Sequence, residues 1–480
     1  MIRMIRLELD GVRNVVHGVI DFHDLESGGS IMGLYGPNGS GKTCVIEAMD
    51  ILRRLMRGER LPEGSAEVVN NDTRSATLTA TYRVEGVGKT SCVEYSVILV
   101  AGGDGRAHVV GETLRMGRTI IGRTVGSDGV SLQPAYVWRS LLSLDGVRGD
   151  MNLFERAERF EGASFLFAPY AAISRNKADG TTMLGHLVEV GLHADGLSAR
   201  SREYIRTKFA PVSEAVRILA DHAHNDIHVC LAWRGDATEI PGKGEDDFTS
   251  LDLLRTNLLA DAPLGQFRET IGTYNMILPT LIPNLRLSLR ESPASSDDAG
   301  NRRTRVEVMA SRGGASFPLR LESEGVIRII RMLSYCIRAY NDPDALVAID
   351  GIDEGIHEVL FGELIRQMAS GIRGQLVFAA HNLRALEVLP RPANTITLAT
   401  GDPSDGFEPF RHAGSGNARN RYLTTLDRKN RMVGESSDER IGAALRVASN
   451  PAMLGHIRDL ERMSEPPDDD RMAALRQALL

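Results

Sequence analysis

Residues 31–50 read IMGLYGPNGSGKTCVIEAMD, and this stretch decides the fold. Its centre, Gly36–Thr43, matches the phosphate-loop pattern G-x-x-x-x-G-K-[ST]. Ile31–Tyr35 is a short apolar run that is typical of a buried strand, and the apolar residues of Cys44–Leu55 recur at helical spacing. Because a glycine-rich turn between a strand and a helix directs several backbone N–H groups at a polyphosphate, the stretch predicts a nucleoside triphosphate site.

The side chains of this loop have separate expected roles. Lys42 is expected to reach the terminal phosphates, and the Thr43 hydroxyl is expected to bind Mg²⁺. The rest of the loop is expected to surround the phosphates, through Gly36, Asn38, Gly39, Ser40 and Gly41. Upstream, Gly11–Asn14 is a turn with a basic residue, Arg13, followed by Asn14. Two interpretations of this turn stay open: a position near the nucleotide, or a solvated hairpin turn.

The bulk properties of the chain limit its class. A length of 480 residues predicts two or three lobes, and 42% hydrophobic with 25% charged residues is ordinary for a globular protein. No apolar run approaches the length of a membrane span, and the four cysteines are scattered, so we expect no membrane contact, no disulfide framework and a cytoplasmic location. A net charge of −7 disfavours extensive sequence-independent DNA binding, although a local basic groove stays possible.

Two later predicted strands are each followed by a residue that can bind a ligand. Leu346–Ile349 is apolar and is followed by Asp350, which is where parallel sheets place ligand-binding groups. Asp350 is the expected partner of Mg²⁺. Gln375–Ala380 repeats the pattern and is followed by His381, which is well placed to sense a γ-phosphate. If these predictions are right, Asp350 and His381 lie close to the loop at Gly36–Thr43.

The sequence of the middle of the chain indicates secondary structure more than a functional site. Strands with Gly- and Asp-rich turns are expected across 64–120, and helices such as Ala199–Ala220 and Leu251–Leu259 across 133–276. The stretch 221–228 contains His222, His224 and His228, of which the last two fall on one face if the stretch is helical. Metal binding and an ordinary polar helix end are both open there.

The motifs together resemble the ATPase heads of the ABC superfamily, in the branch that contains RecF, SMC and OLD-type ATPases. The likeness is carried by the phosphate loop, by Asp350 and His381, and by Ser323-Glu324-Gly325, which resembles the S-x-G signature of these heads. It implies an α/β fold of the P-loop NTPase, ABC-ATPase-head type: a mixed sheet with an antiparallel β subdomain and a helical insertion. It also implies that Ser323 and Gly325 contact the γ-phosphate held by a second protomer, and that Arg13–Asn14 touches phosphates.

A narrower likeness concerns stand-alone ATPases of bacterial anti-phage systems, such as the ATPase component of the phage anti-restriction-induced system. It implies a homodimer or higher oligomer with ATP between the heads, acting as a sensor for a separate effector such as a Toprim-type nuclease. The alternative is a RecF- or SMC-like, ATP-dependent DNA-repair protein. No heptad run of useful length is present, so long coiled-coil arms are not expected.

One departure from the resemblance concerns catalysis. Such heads carry a glutamate after the Mg²⁺ aspartate, and this chain has Gly351 there. Slow turnover, ATP acting as a clamp, and an acid supplied by Asp353 or Glu354 all stay open. The predicted domains are 1–125 and 281–430 for the two parts of the head, 126–280 for a mainly helical insertion, and 431–480 for a helical tail.

Overall fold

The computed structural model of the chain describes residues 1–85, 90–126, 129–135, 162–168, 182–193, 197–231, 237–239, 250–293, 303–402, 404–410 and 417–424. The chain is divided into two compact units, Met1–His412 and Ala413–Leu480. In the second unit the described residues include a helix at 418–424. The predicted helical tail at 431–480 lies outside the described residues.

Strands and helices are numbered here along the described chain. The strands are β1 Ile2–Val12, β2 Val15–Asp21, β3 Ser30–Tyr35, β4 Ala76–Val84, β5 Ser91–Ala101, β6 Ala107–Met116, β7 Thr119–Gly126, β8 Gly129–Gln133, β9 Ile227–Cys230, β10 Ala237–Glu239, β11 Ser250–Asp252, β12 Asn257–Leu259, β13 Arg286–Pro293, β14 Thr304–Arg312, β15 Ala315–Pro318, β16 Leu346–Ile349, β17 Gln375–Ala379, β18 Ile396–Ala399 and β19 Phe407–Pro409. The α-helices are α1 Lys42–Met56, α2 Met183–His193, α3 Ala199–Tyr204, α4 Ala210–Asn225, α5 Asp261–Leu281, α6 Glu324–Asn341, α7 Glu358–Gly371, α8 Arg384–Val388 and α9 Pro392–Thr395. Short 3₁₀ turns lie at Ser65–Val68 and Leu319–Leu321, and a π-helical turn lies at Ile205–Phe209.

The phosphate loop belongs to a six-stranded sheet with the order β19-β18-β3-β17-β16-β9. All neighbouring pairs in this sheet are parallel except β18–β19, which is antiparallel. β3, β16, β17 and β18 are buried along their whole length, as expected for parallel strands covered on both faces. Helix α1 packs against β17 and β9, and α6 packs against β16. The carboxyl ends of β3, β17 and β16 therefore lie side by side at one edge.

A seven-stranded antiparallel sheet, ordered β2-β1-β4-β5-β6-β7-β8, forms the second layer. β4 alternates strictly between buried and half-buried residues, which is the pattern of a strand with one face in the core. A fully buried ion pair, Glu112 with Arg123 at 3.2 Å, lies within this sheet. Glu112 also accepts hydrogen bonds from the Ser164 hydroxyl and the Phe165 N–H, both at 2.6 Å, so it fixes the segment 162–168 against the sheet.

The segment Leu251–Leu259 differs from the sequence prediction. Leu251–Leu259 was expected to be helical, which is wrong: it forms β11, a turn and β12. Asp252 Oδ1 accepts the N–H groups of Leu254 and Arg255, at 2.9 and 3.1 Å, and Asn257 Oδ1 accepts the N–H of Asp252 at 3.0 Å. Such side-chain bonds to the backbone compete with helix formation, which overrides the apolar spacing.

The predicted α/β fold class, a P-loop sheet with an antiparallel β subdomain, is confirmed. The domain bounds stay predictions; within 126–280, β9 pairs with β16 and forms the edge of the parallel sheet. Among the described residues, no helix is long and apolar enough to cross a membrane.

Candidate functional site

The phosphate loop is fixed by close packing against the β1–β2 hairpin. Gly41 has φ of +103°, and a Cβ at this position would lie 2.6 Å from Val15 Cγ2, so only glycine fits. Lys42 is buried, and its Nζ donates to the carbonyl oxygens of Gly36 and Pro37, at 2.7 and 2.8 Å. Burial lowers the pKa of Lys42, while the carboxylates of Asp350 and Asp353 act in the opposite direction. The loop thus encloses a cationic group.

Thr43 and Asp350, which are 307 positions apart, meet at the end of the loop. The Thr43 hydroxyl donates to Asp350 Oδ2 at 3.1 Å, and Oδ1 is 3.4 Å away. The contact arises because β17 alone separates β3 from β16, so the residues after these strands converge. Burial raises the pKa of Asp350, and the Thr43 hydrogen bond, Arg328 and Lys42 act against that rise. The fold is that of a P-loop NTPase.

A cavity of about 550 Å³ opens over the loop. It is lined by most of the residues that the sequence predicted: Arg13, Asn14, Asn38, Gly39, Ser40, Gly41, Lys42, Thr43, Asp350, Glu354 and His381. Cys44, Glu67, Gly351 and Ala379 complete its lining. Three predicted residues do not line it, namely Gly36, whose carbonyl binds Lys42, and the pair Ser323 and Gly325. Asp350 and His381 therefore both lie beside the loop, as the prediction requires.

The turn Arg13–Asn14 is both a hairpin turn and part of the cavity wall. The Arg13 guanidinium lies against the buried Glu47 carboxylate on α1, with Nη2 donating to Oε1 at 2.7 Å. The Asn14 amide donates to the Gly39 carbonyl, which ties the turn to the phosphate loop. Next to it, burial raises the pKa of the Cys44 thiol to about 11, so this thiol stays protonated at neutral pH. Arg13 thus lines the cavity while its guanidinium is paired with the Glu47 carboxylate.

His381 is presented on a turn that Asp353 fixes. Asp353 Oδ2 accepts the N–H of His381 at 2.9 Å and the N–H of Asn382 at 2.5 Å. The Tyr35 hydroxyl, at the end of β3, donates to the Asn382 carbonyl at 3.0 Å. The His381 side chain itself is exposed on the cavity side. The turn after β17 is therefore held from both neighbouring strands.

The cavity fits a phosphate with a hard cation. Lys42 is an ammonium donor, and the Ser40 hydroxyl is buried without a hydrogen-bond partner among the described residues. An unpaired buried hydroxyl is costly, and a phosphate oxygen would satisfy it. Thr43 and Asp350 offer only oxygen ligands, the donor type that Mg²⁺ prefers. The residues present are thus suited to a triphosphate bound with Mg²⁺.

Ser323 and Gly325 lie at the start of helix α6 and are not among the residues that line the cavity. Ser323 is exposed, and its hydroxyl makes no capping hydrogen bond to the helix. Gly325 lies against the backbone of Gly355, because a Cβ at Gly325 would be 2.1 Å from the Gly355 oxygen. The start of α6 is therefore in direct contact with the turn that follows Asp350.

The histidine run at 221–228 does not form the face expected of a metal site. Helix α4 ends at Asn225 and His228 lies in β9, so His224 and His228 do not share a helix. His224 Nδ1 accepts from Arg57 Nε at 3.3 Å, and His222 Nδ1 lies 3.3 Å from Asp226 Oδ2. The argument for metal binding from helical spacing is wrong, because the helix stops three residues too early.

Arg328 and Glu47 are the functional candidates that the sequence prediction missed. Arg328, in α6, contacts Glu354 and the backbone after β16, and Glu47, in α1, pairs with Arg13. Neither belongs to a motif, and each is one charged residue among several at helical spacing. Only the tertiary contacts identify them.

No family model matches the chain, and no curated protein does. Similar solved structures include the Smc head domain with a coiled coil and joint from Pyrococcus yayanosii (11% identity, TM-score 0.40, 89% of this chain and 100% of that one). The Pyrococcus furiosus Smc head bound to the C-terminal domain of ScpA has 12% identity and a TM-score of 0.39 over 90% of this chain and 100% of its own. The Thermotoga maritima SMC head has 12% identity and a TM-score of 0.34 over 85% and 100%.

Proposed function

We propose that the chain binds ATP together with Mg²⁺ in the cavity at Gly36–Thr43. The observation that carries this proposal is the 3.1 Å contact of the Thr43 hydroxyl with Asp350 beside the buried Lys42 ammonium group. When bound, Mg²⁺ would neutralise phosphate charge, with Thr43 and Asp350 as its protein-side partners.

Lys42 is the group that changes partners when ATP binds. Its Nζ donates to the carbonyls of Gly36 and Pro37. A phosphate oxygen is ionised and is therefore a stronger acceptor than a carbonyl. Burial lowers the pKa of Lys42, and an adjacent anion favours its charged form. We therefore expect Lys42 to leave the loop carbonyls for the terminal phosphates.

Equilibrium binding of ATP, with Mg²⁺ and with excess chelator, tests this proposal. Lys42→Ala is expected to weaken binding by about 10- to 100-fold, the loss of a charge-assisted hydrogen bond. Asp350→Asn is expected to lose the gain in affinity that Mg²⁺ provides while its affinity in chelator stays that of the wild type. Lys208→Ala, which removes an exposed lysine of the π-helical turn, is the matched control. Equal affinity of the Lys42 variant and this control would reject the site.

The second part of the proposal is that ATP brings two copies of the chain together. Ser323 is exposed and does not line its own chain's cavity, so we expect it to meet a nucleotide that is bound to a second molecule. Two large apolar side chains, Leu321 at 66% and Val359 at 68%, are exposed on the same unit. Because a dimer would complete the contacts of the nucleotide, ATP shifts the assembly equilibrium by its extra affinity for the dimer.

Light scattering coupled to gel filtration measures this assembly with and without ATP. The mass is expected to double with ATP and Mg²⁺ in the wild type, and not in Ser323→Arg, whose affinity for ATP as a monomer should be unchanged. Ser370→Arg adds the same charge at an exposed position of α7 and is expected to dimerise normally. If the mass of the wild type does not change at saturating ATP, the proposed dimerisation is wrong, while the proposed ATP site is unaffected.

The third part concerns what the ATP-bound state controls. We propose a regulator that binds or releases a separate effector, a Toprim-type nuclease in anti-phage defence, as the resemblance of the motifs implies. Affinity purification from the native host, with ATP and with chelator, tests it. A co-purified nuclease whose recovery depends on ATP supports this role. Duplex DNA bound directly, with a steep loss of affinity as salt rises, would support the DNA-repair alternative instead.

A further inference from the structure

Gly351 leaves a space beside Asp350 that another residue fills. Gly351 has φ of +58°, and the turn it begins is closed by a hydrogen bond from the Glu354 N–H to the Gly351 carbonyl at 3.1 Å. A Cβ placed on Gly351 would lie 2.4 Å from Glu354 Oε1 and 2.8 Å from its Cδ. The Glu354 carboxylate therefore occupies the volume that a side chain directly after Asp350 would take.

Arg328 fixes this carboxylate from helix α6. Its Nη1 lies 3.0 Å from Glu354 Oε2. Its Nη2 donates to the carbonyl oxygens of Asp350, at 3.0 Å, and Gly351, at 2.6 Å. The Arg328 guanidinium thus binds both the Glu354 carboxylate and the backbone at the start of the turn that carries Glu354. The Glu354 side chain is 54% exposed and lines the cavity with Lys42 and Thr43, so its outer face is open to a bound nucleotide and to water.

Asp353, the neighbouring acid, does not compete for this role. Asp353 is absent from the cavity lining, and its Oδ2 already accepts the N–H groups of His381 and Asn382. Moving this carboxylate toward the cavity would leave two backbone donors unpaired, which costs more than a new contact gains. Glu354 is thus the acid of the turn that faces the nucleotide site.

We propose that Glu354 is the catalytic base for ATP hydrolysis and that Arg328 is its positioning residue; this inference rests on the proposed ATP site. Glu354 accepts a proton from a water molecule whose oxygen forms a bond to the terminal phosphorus. The bond between that phosphorus and the bridging oxygen breaks, and ADP leaves with the electron pair, giving ADP and phosphate. Arg328 keeps the carboxylate on the cavity side, three residues later in sequence than the position next to Asp350.

The same contacts connect Glu354 to the start of α6. Arg328 lies five residues after Ser323, and Gly325 touches the backbone of Gly355, the residue after Glu354. A second chain that binds at Ser323 would thus act on a helix that contacts Glu354 through Arg328 and the next residue, Gly355, through Gly325. Hydrolysis is expected to speed up when the chain assembles.

The test compares single-turnover hydrolysis and ATP affinity in the full chain. Glu354→Gln is expected to slow hydrolysis by about 100-fold or more while ATP affinity stays within about threefold, since general-base groups contribute on this scale. After gel filtration, this variant should retain ATP where the wild type contains ADP. Arg328→Ala is expected to slow hydrolysis by about 10-fold. Glu363→Gln, which removes an exposed carboxylate of α7 paired with Arg366, is the matched control and should hydrolyse normally.

The double variant Arg328→Ala with Glu354→Gln separates positioning from a structural role. If Arg328 acts through Glu354, the double variant is no slower than Glu354→Gln, whereas multiplied losses overturn the positioning role. Gly351→Ala, whose Cβ displaces the carboxylate without removing it, should also be slow with ATP affinity retained. A Glu354→Gln chain as fast as the wild type, or a wild type that binds ATP without turnover, overturns the inference and leaves the binding site standing. A wild type that does not bind ATP overturns both.

Discussion

Replacing Gly325 with alanine is expected to destabilise the isolated chain before any nucleotide or partner binds. The added Cβ would lie 2.1 Å from the Gly355 oxygen and 3.0 Å from its carbonyl carbon. Both atoms belong to the backbone of a turn whose Gly355 has φ of +72°, so neither can rotate away. Separating the two segments resembles overpacking of a core, which costs about 1–3 kcal/mol.

The expected shift in melting temperature follows from two opposed terms. Alanine is a better helix former than glycine by up to about 1 kcal/mol, which offsets part of the steric cost. Because the entropy of unfolding grows with chain length, the steric cost of about 1–3 kcal/mol lowers Tm by only about 1 to 3 °C relative to a glycine-to-alanine change that meets no neighbouring atom. Thermal unfolding of the nucleotide-free protein measures it, and the affinity for ATP in the same samples reports whether the phosphate loop is intact.

Gly265 and Gly272 provide matched controls within a helix of the same chain. Both lie in α5, and a Cβ at either position meets no atom within 4 Å. Alanine at these positions is expected to leave Tm unchanged or raise it slightly, because only the helix propensity changes. If Gly325→Ala melts within about 0.5 °C of these two controls, the close contact of α6 with the turn is refuted. The basis for coupling Ser323 to Glu354 would then be lost as well.

Three further predictions concern the buried polar groups. Tyr82→Phe removes a buried hydroxyl that has no partner among the described residues, so Tm in thermal unfolding should stay unchanged or rise. Tyr95→Phe removes a hydrogen bond to Glu112, so Tm should fall. Glu112→Gln removes the buried carboxylate that pairs with Arg123 and is expected to cost about 3–5 kcal/mol in urea unfolding. Burial lowers the pKa of His228 to about 3, so the unfolded chain takes up a proton near pH 6.5 that the folded chain refuses, and stability is lost as pH falls below that value. His228→Gln should therefore lose about 1.4 kcal/mol less than the wild type between about pH 7.5 and about pH 5.5.

The strands of the parallel sheet are the part of the fold that sequence patterns predict best. Leu346–Ile349 forms β16 with the predicted bounds, and Gln375–Ala379 forms β17. Strands buried on both faces need continuous apolar residues, so their ends coincide with the first polar side chains. The same polar residues, Asp350 and His381, stand at the carboxyl edge, which is why the site could be predicted together with the sheet.

Local polar contacts explain where the patterns fail. The apolar spacing of Leu251–Leu259 favours a helix, but Asp252 and Asn257 bind nearby backbone groups and form a turn instead. At 221–228, the helix ends at Asn225 because the chain enters β9 beside β16. Periodicity in the sequence shows which face of an element is apolar. It does not show which side chains hydrogen-bond to nearby backbone groups, or which segments pair with strands far away in sequence.

Gly351 illustrates the same limit within the site. In sequence, a glycine after Asp350 indicates a missing acid, because adjacency along the chain is the only measure of proximity. In the fold, the left-handed conformation of that glycine turns the chain back, and Glu354 returns to the space beside Asp350. A side chain at 351 and the carboxylate of Glu354 exclude each other sterically. The glycine is therefore better understood as the condition for Glu354 to reach the cavity than as the loss of a catalytic group.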